Sequence, residues 1–410
     1  MNTVFVLLVL AAFGTAAWHQ AAGESGAMEA LSTAALKAAE GALPLAFGLV
    51  GVMALFLGVM KIAEAAGLLA GLARLLTAPL RRLFPEVPDG HPALGAMAMN
   101  LSANLLGLGN AATPFGIRAM EELEGINPHK RTASNAQALF LAINTAGLTL
   151  LPTKVIALRT SLGAADPTAV VVPTLIATFS AAVAAIVAAR LLQRLSPPKA
   201  TEPAIGVPPP PLRGLLVAVA VALILGGAML WGGGALGPWL IPGLLAGMVG
   251  YGWIKRVRVY EQFVEGAREG FTVAIRIIPY LVAILVAVGM LRQSGALDAI
   301  LAPAARLLAP LGVPAEALAM AVVRSLSGSG AYGLLAASLQ NPATGPDTPT
   351  GILLGTIYAS TETTFYVVAV YFGAIGTRNI RHALAAGLIA DAAGLAAAVA
   401  ACRLLYGGAP

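Results

Sequence analysis

Long uncharged hydrophobic stretches alternate with short polar segments along most of the chain. Stretches at or near the length needed to cross a bilayer run over residues 41–60, 132–153, 167–189 and 214–254. Prolines interrupt the last stretch, so it predicts two crossings. Because the hydrophobic stretches are continuous and do not alternate residue by residue, they predict membrane-spanning helices and not a β-barrel.

The pattern recurs roughly 230 residues later in the chain. Residues 60–80 and 290–311 carry the same series in the same order: a Met near a basic residue, a small-residue turn, Ala-Arg-Leu-Leu and Pro-Leu. The segment that leads into the first copy, 24–40, is acidic, whereas the equivalent segment 260–270 follows a basic cluster. Equivalent segments therefore lie on opposite membrane faces, which predicts an inverted-topology repeat.

Each copy also contains a stretch of low charge that is broken by helix-disfavouring residues. These stretches are 92–120, with Gly, Asn and Pro near its middle, and 314–340, with Gly and Ser. Such residues favour two half-helices over one spanning helix. Irregular backbone is tolerated at membrane depth only where protein or a water-filled cavity satisfies it, so the breaks in these two hairpins predict the functional site.

The composition places the whole chain in a membrane. It is 58% hydrophobic and 11% charged, with a mean hydropathy of +0.83, whereas soluble proteins have a charged fraction of about a quarter. The net charge of +6 comes from residues beside hydrophobic stretches, which indicates anchoring of cytoplasmic loops and no nucleic-acid partner. With the single cysteine Cys402 and no paired His spacing, we expect no disulfide and no metal site.

The fold predicted from these patterns is an all-α polytopic protein with two inverted repeats in the cytoplasmic (inner) membrane. Residues 1–18 are interpreted as a retained first helix, with the N-terminus in the cytoplasm and nine crossings in total. We expect domains at 1–196 and 213–410, joined by a Pro-rich cytoplasmic linker at 197–212. The repeat crossings are predicted at 41–60, 134–151 and 168–190, and at 271–291, 350–370 and 382–404.

Small polar and charged side chains near the predicted breaks are the candidate substrate-binding residues. Exposed helix N-termini at breaks suit anionic or carbonyl groups of a solute, and free carbonyls at the opposing ends suit cations. The alternative is that the polar side chains only form hydrogen bonds between helices. The candidates are Asn100, Ser102, Asn104, Asn110, Thr113, Arg324, Ser325, Ser327, Ser329, Ser360, Glu362 and Thr363.

Glu362 is the strongest single candidate for a functional residue, because it lies in the middle of an otherwise uncharged segment, residues 350–377. A carboxylate there costs several kcal/mol unless it is paired, protonated or hydrated. The structural alternative is a buried ion pair, for which Arg324 is the obvious partner. The equivalent segment of the first copy contains Asn144 and Thr145 but no acidic residue.

Other ionisable residues near hydrophobic stretches are interpreted as structural. Lys154, Arg276 and Asp391 lie close to predicted helix ends, where long side chains reach the interface. Catalysis has little support, since no nucleophile–base arrangement is apparent and the GxGxxG match at 328–333 follows no strand. We therefore expect no enzyme.

Several motifs resemble the spore maturation protein A and B families. Residues 105–120 resemble the first family, and residues 324–330, 360–366 and 371–373 resemble the second. The resemblances cover about 1–196 and 213–407, as though two separate proteins were fused. Both families are similar to nucleoside-recognition, or Gate, domains of nucleoside and ferrous iron transporters, which implies a solute pathway between the repeats.

The resulting hypothesis is a transporter whose small solute binds between the hairpin tips, with Glu362 tuning charge or carrying a proton. A non-transporting scaffold for envelope or spore maturation and a translocase of a lipid or a lipid-linked precursor stay open as alternatives. No cofactor is expected beyond a coupling ion or proton. Membrane lipids and a small-molecule or lipid-linked solute are the expected partners, and homo-oligomerisation stays open.

Overall fold

The computed structural model describes residues 2–107, 109–195, 239, 241–297, 299–300, 302–303 and 313–406. Over these residues the regular elements are helices, which confirms the all-α class. The predicted linker 197–212 lies outside the described residues. The helices are α1 (Asn2–Ala21), α2 (Ala27–Ala65), α3 (Leu68–Leu83), α4 (Pro92–Leu105), α5 (Gly109–Gly125), α6 (Asn135–Thr145), α7 (Thr153–Ser161), α8 (Val171–Leu195), α9 (Ile241–Ile254), α10 (Val259–Gln293), α11 (Ala315–Leu326), α12 (Gly328–Leu339), α13 (Pro349–Ser360), α14 (Thr364–Ala374) and α15 (Ala383–Tyr406).

The long helices α2 and α10 are equivalent elements of the two repeats, and they pack against each other. Each merges a predicted lead-in with a predicted crossing, 41–60 or 271–291, into one helix. The direction of packing is antiparallel, because Gly58 lies against Phe263 while Gly289 lies against Ala38. At Gly266 an added Cβ would stand 2.3 Å from the Leu57 carbonyl oxygen, so only glycine allows this approach. Antiparallel packing of equivalent helices is the arrangement expected of inverted repeats.

Equivalent glycines end both long helices. Gly67 follows α2 with φ of 81°, and Gly295 follows α10 with φ of 74°. This left-handed conformation is readily adopted by glycine and terminates a helix. After Gly67 the chain turns by 68° into α3. The small-residue turn that recurs in the sequence is therefore a helix terminus in both copies.

The second pair of equivalent helices, α8 and α15, is also antiparallel. Tyr406 at the end of α15 donates a hydrogen bond to the Ala169 carbonyl just before α8, and Gly394 lies against Ala181. By length and composition these are the two described helices able to cross a membrane, and the bent pair Val50–Ala65 with Leu68–Leu83 gives a third candidate. Shorter apolar helices occupy Phe5–Ala21 and Ile241–Ile254.

Two predicted crossings are not continuous helices. The crossing expected at 134–151 contains only α6, followed by a break at residues 146–152 in which Gly147 has φ of 59°; α7 begins beyond it, after Pro152. The crossing expected at 350–370 is α13 and α14, broken at 361–363, where Thr361 and Thr363 are extended. We call α6–α7 the first broken helix and α13–α14 the second broken helix.

The two broken helices touch at their breaks. The Glu362 backbone N–H donates to the Thr145 carbonyl oxygen at 2.8 Å, which satisfies a carbonyl left free at the end of α6. A Cβ on Gly147 would lie 2.8 Å from the Glu362 nitrogen, so the two backbones are in direct contact. The two breaks therefore meet at one point between the repeats.

Arginines fix the outer ends of the broken helices in a reciprocal way. Arg381, after α14, donates to the Ala133 carbonyl and to Asn135 Oδ1 at the start of α6, both at 3.0 Å. The fully buried Arg159 in α7 lies 3.6 Å from Asp347, just before α13. Because each start is tied to the other's end, the broken helices run antiparallel over their full length.

Candidate functional site

A cavity of about 460 Å³ lies where the two broken helices meet. Both breaks contribute to its wall, as do the tips of the first hairpin (α4–α5) and the second hairpin (α11–α12). Six of the twelve side chains predicted from the sequence line it, although they are separated by up to 259 positions along the chain (363 minus 104). They are Asn104, Arg324, Ser327, Ser329, Glu362 and Thr363.

The second hairpin contacts the second broken helix through Arg324. Its Nε donates to the Thr361 carbonyl oxygen at 2.9 Å, Nη2 donates to the same oxygen, and Nη1 donates to Thr363 Oγ1 at 3.1 Å. Thr361 directly follows α13, so the guanidinium satisfies a carbonyl at the negative end of that helix. We call the set Arg324, Thr361, Glu362 and Thr363 the charged junction.

Glu362 forms the ion pair with Arg324 that the sequence suggests as the structural alternative. Its Oε2 lies 3.2 Å from Arg324 Nη2, and the two side chains are 44% and 7% exposed, respectively. The guanidinium also lies 4.7 Å from the centroid of the Tyr358 ring. Arg324 is thus held from several sides, whereas the Glu362 carboxylate keeps much of its surface open to a ligand.

The cavity has a second cation and two helix N-termini on its wall. α7 begins at Thr153 without a side-chain cap, and exposed Lys154 lies in its first turn. α12 begins at Gly328, with Ser327 Oγ accepting a hydrogen bond from the Gly330 N–H at 3.0 Å. Helix N-termini carry partial positive charge. Together with Arg324, these groups give the wall two full positive charges against the single charge of Glu362.

The first hairpin contacts the first broken helix through uncharged groups. Asn104 Nδ2 donates to Asn144 Oδ1 at 3.0 Å, and Tyr371 Oη donates to the same oxygen at 3.4 Å. Asn100 Nδ2 donates to Tyr371 Oη at 3.1 Å. We call the set Asn100, Asn104, Asn144 and Tyr371 the neutral junction. Tyr371 belongs to α14, so this junction also ties the two repeats together.

Four of the remaining predicted residues are hydrogen-bonded away from this cavity. Asn100 is fully buried and donates to the Ala112 carbonyl at 2.8 Å, while Ser102 donates to the Ala98 carbonyl at 2.7 Å. Ser325 and Ser360 line a second cavity of about 180 Å³. Thr113 is half-buried in α5 and does not line the 460 Å³ cavity. The side chain of Asn110 lies outside the described residues.

Two residues interpreted as structural anchors lie at these cavities instead. Asp391 is not at a helix end, because α15 begins at Ala383, and its Oδ2 accepts from Ser325 Oγ at 2.7 Å and Thr364 Oγ1 at 2.8 Å. The anchoring interpretation is therefore wrong for Asp391. Lys154 does lie at a helix end, but that end opens onto the 460 Å³ cavity, where Pro152 precedes α7. Pro152, directly before α7, is the sequence feature that indicates a helix start here. The side chain of Arg276 lies outside the described residues.

Aromatic side chains add ring surface to the cavity. Tyr332, Tyr358 and Tyr366 line it, and the rings of Tyr332 and Tyr358 are 5.7 Å apart. No group of three or more His, Cys, Asp or Glu residues within the described residues is placed to hold a metal ion. The chemistry available on this wall is hydrogen bonding, ring stacking and the binding of charged groups.

Sequence comparisons with known proteins identify the family. The sequence profile of the Gate family, described as nucleoside recognition, matches residues 46–200 and 274–378. Spore maturation protein A of Bacillus subtilis (strain 168) is 42% identical over 163 residues, which are 40% of this chain and 83% of that protein. Spore maturation protein B of the same organism is 43% identical over 170 residues, which are 42% of this chain and 94% of that protein.

No solved structure matches this chain. The family profile covers more than half of the sequence, and both relatives are matched over most of their length. The chain belongs to the Gate nucleoside-recognition family and is a multi-pass membrane protein.

Proposed function

We propose that this member of the Gate family is a transporter of the cytoplasmic membrane, and that it binds a small solute with an anionic group in the 460 Å³ cavity. The observation that carries the proposal is the meeting of two broken helices at a charged cavity. Unwound backbone in the middle of a membrane protein is costly unless it lines a binding site or a pathway. Antiparallel repeats on either side provide the two halves that alternating access requires.

The exposure of Glu362 favours transport over a scaffold whose polar residues only pack. A carboxylate that served solely as a structural partner of Arg324 would be enclosed with it, yet Glu362 is 44% exposed. It lies on the cavity wall, where a solute reaches it. An ionisable group in such a position is a functional residue by default, because its insertion into the membrane is expensive.

The charge of the wall supports an anionic group on the solute. Lys154 and Arg324 together outweigh Glu362 by one positive charge, and the N-termini of α7 and α12 add partial positive charge. Tyr332, Tyr358 and Tyr366 supply ring faces for a planar group. The family description, nucleoside recognition, supports a solute that combines a planar ring with a polar part.

A binding experiment with matched probes tests this proposal. Purified full-length protein in detergent is heated with a nucleoside, its 5′-monophosphate, inorganic phosphate or succinate. A ligand that binds the folded state raises the melting temperature. We expect the monophosphate to raise it more than the nucleoside does, and we expect Lys154→Gln to remove the difference. Lys130→Gln, at a loop lysine that bonds the Glu124 carbonyl away from the cavity, is the control.

Flux is tested separately with the probe that binds, by counterflow in proteoliposomes. Counterflow that Glu362→Gln changes in rate or in pH dependence supports transport. Binding without counterflow would favour the non-transporting scaffold. The names of the two relatives, spore maturation proteins A and B, are compatible with that alternative as well. If none of the four probes raises the melting temperature, the proposed solute class is wrong. We propose no catalytic reaction and no cofactor for this protein.

A further inference from the structure

The second cavity contains a carboxylate that the proposed solute site does not use. Asp391 lies about 5 Å from the midpoint of α15, taking a rise of about 1.5 Å per residue. It lines the cavity of about 180 Å³, whose other walls are mostly apolar and include Ile357, Leu388 and Leu395. An ionised carboxylate in such surroundings is expensive unless its oxygens are hydrogen-bonded or the charge is removed.

The hydrogen bonding of Asp391 is uneven. Oδ2 accepts from Ser325 Oγ at 2.7 Å and from Thr364 Oγ1 at 2.8 Å, as expected for a negative charge. Oδ1 is buried and has no hydrogen-bond partner among the described residues. One half of the carboxylate is therefore stabilised as an anion, while the other half carries an unsatisfied buried oxygen.

Both donors to Asp391 are sequence neighbours of the charged junction. Ser325 follows Arg324, and Thr364 follows Thr363, which accepts a hydrogen bond from Arg324 Nη1 at 3.1 Å. Asp391 thus joins three elements at one point: the second hairpin, the second broken helix and the membrane-spanning helix α15. A change in the charge of Asp391 therefore acts on the residue next to Arg324 and on the residue next to Thr363, at both ends of the charged junction.

We propose that Asp391 is a proton-binding site of this protein. Proton binding adds one proton from solvent to a carboxylate oxygen and changes the charge of the group from −1 to 0. The neutral acid is a weaker acceptor and becomes a donor, so the hydrogen bonds from Ser325 and Thr364 weaken. The bound proton thereby loosens the second hairpin and α14 from α15.

Among the described residues, few charged groups lie around Asp391. Arg324 of the second hairpin faces it, and Glu362 is paired with that arginine at 3.2 Å. α6, α13 and α14 contain no Asp, Glu, Lys or Arg. The ionisable residues of α8 are Arg190 and Arg194, close to its C-terminal end, whereas the neighbouring position Gly394 of α15 lies against Ala181. Arg324 is accordingly the charge to which proton binding at Asp391 is coupled.

Infrared difference spectroscopy tests the proposal without any solute, so its outcome is separate from that of the transport experiment. Full-length protein in lipid nanodiscs is taken through a pH titration, and the carboxylic-acid C=O stretch is recorded. Because every carboxylate contributes to this stretch on acidification, each variant is subtracted from the wild type. We expect Asp391→Asn to remove one titrating component that Asp89→Asn retains, the latter making the same change at a carboxylate that is 82% exposed. If Asp391→Asn removes no component that Asp89→Asn retains, the proposal is overturned.

Two further measurements keep the test decisive. If Asp391→Asn does not fold, Ser325→Ala and Thr364→Val each remove one donor and keep the carboxylate, and we expect both to shift the midpoint of that component's titration. An unchanged midpoint in both variants would count against Asp391 as the titrating group. A Na⁺-dependent rise in melting temperature that requires Asp391, without a carboxylic-acid component that Asp391→Asn removes, would replace the proton by Na⁺ and reject the proposal as stated.

Discussion

The two hairpins dock on the two broken helices in the same way but with opposite chemistry. In each repeat, a polar side chain near the end of the first half-helix reaches the C-terminal end of the first helix of a broken pair: Asn104 contacts Asn144 in the last turn of α6, and Arg324 contacts Thr361 directly after α13. The neutral junction is built from amides and one phenol joined by hydrogen bonds, although Asn100 Oδ1 is buried without a partner among the described residues. The charged junction contains an ion pair whose carboxylate is 44% exposed to the cavity.

This difference indicates a division of roles between the repeats. The neutral junction offers no full charge to a charged ligand, so under the proposed function the first hairpin is suited to a fixed position. In the charged junction, an anionic solute bound as proposed would compete with Glu362 for Arg324, and the second hairpin would then be the element that responds. On this proposal, inverted repeats supply equal scaffolds, and a few different side chains make one of them responsive.

The largest loss of stability is expected at the contact between the two breaks, which lies between the neutral and the charged junction. Gly147→Ala places a Cβ 2.8 Å from the Glu362 nitrogen at a φ of 59°, which separates the breaks. We expect a loss of about 2–5 kcal/mol of stability, from the left-handed backbone and the steric overlap together. Unfolding in a denaturing detergent titration measures it.

Gly163→Ala is the matched control for this change. Gly163 also has a positive φ, 74°, but nothing lies within 4 Å of its added Cβ. It should therefore show only the backbone cost, about 1–2 kcal/mol. Equal losses in the two variants would mean that contact between the breaks does not limit stability.

Arg324→Lys should have the next largest effect and should act on the charged junction alone. Lysine keeps the positive charge near Glu362, but it cannot donate from two nitrogens to the Thr361 carbonyl. We expect a loss of about 2 kcal/mol, the value of hydrogen bonds from a charged donor, together with weaker stabilisation by the anionic probe. Wild-type stability in this variant would show that charge, and not geometry, holds the hairpin.

Part of the difference between the two junctions can be predicted from the sequence. The repeated pattern and the hairpin residues predict the scaffold. The isolated charge of Glu362 was enough to name Arg324 as its partner in the structural alternative; the pair is present, but the Glu362 side chain is 44% exposed and not buried. The breaks at 146–152 and 361–363 were missed, because hydrophobicity continues through both and does not report backbone direction. Asp391 was misassigned because its donors, Ser325 and Thr364, come from other helices.

Tyr371→Phe tests the neutral junction with a smaller change. It removes the hydroxyl that accepts from Asn100 and donates to Asn144, while the ring keeps its packing on Phe140 at 6.1 Å between centroids. We expect a loss of about 1 kcal/mol and unchanged stabilisation by the anionic probe, since Tyr371 does not line the cavity. A change in probe binding would contradict the assignment of this junction to a fixed role.

The smallest effect on stability at neutral pH is expected at the outer ends of the broken helices. These two ends also carry different ionisable groups. The end fixed by Arg159 contains the carboxylate of Asp347, whereas the end fixed by Arg381 contains His382, which is 5% exposed. Burial, together with the positive charge of Arg381, lowers the pKa of His382 from 6.5 to about 4. Both ring nitrogens lack a hydrogen-bond partner among the described residues.

The sign of the pH dependence follows from this lowered pKa. Above pH 6.5, His382 is neutral in the folded and the unfolded chain, so it contributes nothing. Between pH 6.5 and about 4, His382 binds a proton in the unfolded chain but stays neutral in the folded protein. The free energy of unfolding therefore falls by at most about 1.4 kcal/mol for each pH unit. His382→Gln should flatten this part of a melting-temperature profile and leave the value at pH 7 nearly unchanged. If the slope is the same in the variant, the acid sensitivity arises elsewhere, and the carboxylates at the Arg159 end become the groups to replace next.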